Sequence, residues 1–129
     1  MFRKFVFITG ALDVLIGIGP MVGAISAPAQ GTFVSLMTLG AFLMFAGAVL
    51  MWATRKLPER APVVFWQGLV RLTAVFSILY AVPNRLSYTW EYGVAAFDGV
   101  VALTYVIGSM RVTGASFFAL LFGRYEPTA

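Results

Sequence analysis

Phe33–Ala53, FVSLMTLGAFLMFAGAVLMWA, holds no charged and no amide side chain; apart from the Trp52 indole, its only polar groups are the Ser35 and Thr38 hydroxyls. At ~1.5 Å per residue, such a stretch folded as a helix covers the ~30 Å of hydrocarbon in a bilayer. It has no polar face with which to meet water as a helix of a soluble domain does. Three more stretches read the same way: Phe5–Ile25 (FVFITGALDVLIGIGPMVGAI), Val63–Val82 (VVFWQGLVRLTAVFSILYAV) and Tyr92–Met110 (YGVAAFDGVVALTYVIGSM). A transmembrane barrel would need ~10-residue alternating segments, which are absent. The expected fold is all-α, an integral membrane antiparallel four-helix bundle forming a single transmembrane domain over 1–129.

Composition agrees. Of 129 residues, 60% are hydrophobic and 11% charged, and the mean hydropathy is +0.90. An average soluble domain carries about 25% charged residues. With no Cys and no His, the chain excludes disulfides, thiolate nucleophiles, imidazole bases, Cys/His zinc sites and His-ligated haem. No cofactor and no metal site is expected.

The breaks fall between the spans. SAPAQGT (26–32) is a short turn, RKLPERAP (55–62) holds two prolines and four charges, and Pro83-Asn84 ends the third span. Connections this short make sequential neighbours antiparallel. Basic residues set the orientation. Arg3, Lys4, Arg55, Lys56, Arg60, Arg111 and Arg124 lie on one side and only Arg85 on the other, with Arg71 inside a span. Both termini and the middle loop are therefore expected in the cytoplasm, and the location is a bacterial inner membrane. The net charge of +4 follows from that topology and is no nucleic-acid footprint. The lipid bilayer is the expected partner, and anionic lipid should meet the basic inner side favourably. A membrane protein partner or a second copy stays open. The first span resembles a secretory signal near Ala27-Pro28-Ala29, but its length, Asp13 and the proline in the cleavage motif favour an uncleaved helix.

Aromatic residues mark the interfaces: Trp52 and Trp66 beside the inner loop, and Tyr88, Trp90 and Tyr92 on the outer side. Small residues at Gly10 and Gly17, Gly40 and Gly47, and Ala95 and Gly99 form stripes on which membrane helices pack closely. Pro20 withdraws the donor for the Ile16 carbonyl and predicts a bend. After Gly114, a short apolar segment (114–123) either lies along the inner interface or continues the fourth helix.

The chemistry rests on the charges within the spans, each costing at least ~2.5–3.5 kcal/mol at mid-bilayer. Asp13 and Arg71 each lie about eight residues, ~12 Å, from the cytoplasmic side, so an Asp13–Arg71 ion pair is expected. Thr9 and Gln67, each one turn away, support it. Asp98, ~9 Å below the outer side, has no cation at its own depth. Arg71 stretching outward, Arg85 reaching down, or protonation would satisfy it. Tyr105 and Ser109 continue its stripe. No phosphate loop, Glu-x-x-His pattern or nucleophile elbow is present, and no catalytic residue is assigned.

With GALDVLIGIG in the first helix, a Gly-spaced second helix and the basic RKLPER loop, the chain resembles the DoxX-like group of small bacterial membrane proteins, including BphX-like relatives. The resemblance implies a four-helix membrane fold and, for some members, a role beside oxidoreductases or aromatic degradation; it transfers no functional residue. The chain is also similar to small multidrug transporters in size and in its first-helix acid. It departs from them in having Asp for Glu and in its strong charge bias. The favoured expectation is an accessory or small-molecule/lipid-binding role built round the Asp13–Arg71 pair. The alternative is a proton- or cation-coupled transporter using Asp98 or Asp13. An enzyme, with only carboxylates and Tyr available, ranks last.

Overall fold

In α2 (Phe33–Ala53) every residue is compatible with a helix whose backbone polar groups are satisfied within the segment, the condition a lipid-facing chain must meet. The computed structural model describes residues 1–126. The other helices are α1 (Phe2–Ser26), α3 (Leu57–Ala81), α4 (Glu91–Thr113) and a short α5 (Phe117–Leu121), with no strand among the described residues. Among the described residues, three helical runs are long and apolar enough to cross a membrane: Phe2–Ser26, Phe33–Ala81 and Glu91–Thr113. The middle run comprises α2 and α3, separated by one turn of 3₁₀ helix, Thr54–Lys56. Large apolar side chains such as Leu15, Phe45, Phe76 and Val100 stand exposed on all four long helices, the reverse of a soluble protein's surface.

The chain divides into two compact units, Met1–Arg55 and Lys56–Ala129. The first is the α1–α2 hairpin. Its helices run antiparallel, because Gly10 lies against Gly47 and Gly17 against Gly40. The approach is backbone to backbone. A Cβ on Gly17 would lie 2.5 Å from the Gly40 carbonyl oxygen and 2.7 Å from the Met44 nitrogen. Both glycine stripes thus pack against each other within the chain. Helix α1 runs through Pro20 without interruption.

The second unit is the α3–α4 hairpin with α5 folded against it. Here the expected break at 55–62 is corrected, since α3 begins at Leu57 and takes in both prolines. Pro58 sits in the first turn, where an amide has no acceptor within the helix, so proline costs nothing there. Pro62 does leave a carbonyl unserved, that of Pro58, four residues back. The Tyr125 hydroxyl donates to it at 2.8 Å and also approaches the Glu59 carbonyl at 3.1 Å. Burial, and secondarily the Glu59 charge, raise the Tyr125 phenol above its usual 10.0.

At the other end of α3 the Leu86 amide bonds the Ala81 carbonyl (2.9 Å) and the Arg85 amide bonds that of Val82 (3.1 Å), with Arg85 at φ 58°. This is the paired closing turn usually given to glycine. Past the end of α4, Gly114 takes φ 68° and turns the chain back, so the tail does not continue the fourth helix. Ser116 caps α5 by accepting from the Ala119 amide at 3.3 Å. Phe117 meets Phe65 edge to face at 4.9 Å, and Leu120 is fully buried with Ala61 and Phe65. Phe118 and Phe122 stay exposed, so α5 has one docked face and one free apolar face.

Candidate functional site

Gly68 decides the geometry of the polar centre in the second unit. A Cβ there would lie 3.1 Å from both the Ala102 carbonyl oxygen and Tyr105 Cβ, so α3 and α4 come close together at this point. Three residues further along α3, Arg71 Nη1 donates to Asp98 Oδ1 of α4. The two side chains are only 13% and 14% exposed. The guanidinium also lies over the Tyr105 ring, its Cζ 5.9 Å from the centroid, in the range of a cation–π contact. Tyr105 is fully buried. A carboxylate and an aromatic face therefore both meet the Arg71 guanidinium.

Asp98, Ala102, Tyr105, Ser109 and Thr113 recur at three- and four-residue spacing along one side of α4. Ser109 is fully buried, and its hydroxyl has no hydrogen-bond partner among the described residues. Its carbonyl accepts from Thr113 Oγ1 at 2.7 Å. Helical serines usually satisfy themselves on a preceding carbonyl, so an orphan at this depth is unusual.

In the first unit, Asp13 is 6% exposed, and its Cβ backs onto Gly47; a Cβ on that glycine would come within 2.9 Å of it. The glycine makes room for the acid. Thr9 donates to its own helix, to the Phe5 carbonyl at 2.8 Å and that of Val6 at 3.2 Å. Gln67 is half-buried on α3, one turn before Arg71. Asp13 belongs to the first unit and Arg71 to the second. Trp52, Trp66, Tyr88, Trp90 and Tyr92 are all exposed, as interface anchors would be.

Sequence reading named Asp98, Tyr105 and Ser109 as one stripe and Arg71 as one way to satisfy Asp98. It did not single out Gly68. The small-residue pair it did choose on α4 is looser, for a Cβ on Gly99 would meet only Val75 Cγ2, at 3.9 Å, although Ala95 is buried. Among the described residues, no three His, Cys, Asp or Glu side chains gather as metal ligands would. The arrangement can fix helix register, hold a polar group against Arg71 and Asp98, or relay a proton. Comparison with protein families, curated proteins and solved structures gives no match.

Proposed function

We propose that this chain is a four-span protein of a bacterial inner membrane, with both termini in the cytoplasm and the two hairpins together forming an antiparallel four-helix bundle. Its role is accessory, binding a small molecule or lipid, and its polar centre is mainly architectural. The observation that carries this reading is the Arg71–Asp98 bond capped by Tyr105. A cation already committed to a carboxylate and an aromatic face is poorly free to service a substrate. Removing one partner of such a pair leaves an uncompensated charge, at a cost of about 3–5 kcal/mol. Equal depth in the sequence supports Asp13 as a second acidic partner of Arg71, whose guanidinium has donors for both. The resemblance to DoxX-like proteins supports the accessory role.

A second reading, a proton- or cation-coupled transporter using Asp98 or Asp13, draws support from the orphan Ser109 hydroxyl on the Asp98 stripe. Substitution separates the two. On the architectural reading, Asp98→Asn or Arg71→Gln lowers stability in detergent by about 3–5 kcal/mol, and the joint change Asp98→Leu with Arg71→Met recovers most of the loss. On the transport reading, Asp98→Asn leaves folding intact and abolishes proton-linked flux in reconstituted vesicles. Unchanged yield, stability and flux in both single variants would dismiss both readings.

A further inference from the structure

The first unit carries a groove that the polar centre does not involve. It is an open cleft of about 850 Å³ between the start of α1 and the end of α2. Arg3, Lys4 and Arg55 stand on its rim, and Phe7, Met51 and Trp52 line it deeper in, with no acidic side chain among its lining residues. The order is the same on α1 and along the end of α2 into the 3₁₀ turn that follows it. Phe7 lies one turn, ~6 Å, inward of Arg3 on α1, and Met51 lies in the last turn of α2, four residues before Arg55 in the 3₁₀ turn. Further in, at Gly10 and Gly47, the two helices already meet backbone to backbone. Its volume lies within the ~300–1,000 Å³ of ordinary small-molecule sites.

We propose that this groove binds one anionic phospholipid of the cytoplasmic leaflet, its phosphate against Arg3, Lys4 and Arg55 and the upper part of a chain against Phe7, Met51 and Trp52. The proposal rests on the membrane topology given above. Charge complementarity selects an anion, since three cations converge with no acid among the lining residues. The apolar floor selects a lipid over a free phosphate, which would leave Phe7 and Met51 uncovered. The graded order of charge and apolar surface follows a lipid's own order from headgroup to chain.

Native mass spectrometry of the full chain, released from detergent with phosphatidylglycerol or phosphatidylcholine of matched chains, tests the proposal. With each basic residue near an anionic surface favouring the anion about fivefold, retention of phosphatidylglycerol should exceed that of phosphatidylcholine by at least about tenfold. The variant with Arg3→Gln, Lys4→Gln and Arg55→Gln should lose that preference, whereas Arg85→Gln in the outer loop should keep it. Equal retention of the two lipids, a preference that survives the triple change, or displacement of phosphatidylglycerol by millimolar inorganic phosphate would overturn the proposal. Should the triple variant fail to fold, Trp52 fluorescence serves in a chain carrying Trp66→Phe and Trp90→Phe. Chain-brominated phosphatidylglycerol should then quench more than brominated phosphatidylcholine at equal fraction, and equal quenching overturns the groove. Release of the protein from alkali-washed membranes would instead refute the topology.

Discussion

Replacing single glycines by alanine in the α1–α2 hairpin should have opposite effects at two positions on the same helix. Gly23 has nothing within 4 Å of where a Cβ would stand, so Gly23→Ala gains helix propensity alone, about 0.8–1.0 kcal/mol. Gly17 gains the same propensity, but its methyl group would stand 2.5 Å from the Gly40 carbonyl oxygen and 2.7 Å from the Met44 nitrogen. Both are backbone atoms, which cannot rotate away. Restoring ordinary contact at ~3.4 Å or more requires the helices to part by several tenths of an ångström, opening the seam from Gly10 to Gly40. Overpacking of this kind costs about 1–3 kcal/mol net, so the two variants should differ by about 2–4 kcal/mol. Reversible unfolding of the full chain in mixed micelles, followed by far-ultraviolet circular dichroism, measures the difference. Equal stabilities would mean that the hairpin is not held by backbone contact at these glycines, and the close-packing argument would fail.

Other outcomes follow from single contacts. Tyr125→Phe removes the donor serving the Pro58 carbonyl and should cost about 1 kcal/mol, read by the same unfolding assay. Because the Tyr125 phenol titrates above 10.0 when folded, its contribution is fully present below that pH and lost as pH rises through the raised value. An alkaline titration of stability should therefore fall less steeply in the Phe variant than in the parent. Ser109→Ala deletes a buried hydroxyl that has no partner among the described residues, so stability should stay level or rise by up to about 3 kcal/mol. A loss of flux or ligand binding in that variant, with stability retained, would favour the transport reading.

Hydropathy alone located the long helices, because a run such as Phe33–Ala53 leaves no other solution, and the bounds of α2 coincide with those read from the sequence. The start of α3 was not legible in the same way. Proline breaks a helix in its interior but is at home in its first turn, and composition does not tell the two settings apart. The Arg71–Asp98 contact was only half visible, since depths reckoned along helix axes omit the reach of an arginine side chain. Gly68 escaped notice because it stands alone: a stripe of glycines leaves a pattern in the sequence, while one glycine opposite Ala102 and Tyr105 acquires meaning only once the two helices are paired. The anchoring of Tyr125 depends on a carbonyl released by a distant proline, which no local reading of either segment reveals.

That anchoring bears on the order of events during synthesis. The Pro58 carbonyl loses its helical donor as soon as Pro62 joins the helix, yet the hydroxyl that replaces it belongs to a residue made more than sixty positions later. While α4 is still emerging from the ribosome, the first turn of α3 carries an open acceptor that solvent must serve. Completion of this corner is a late step, taken when the segment that follows α5 folds against α3.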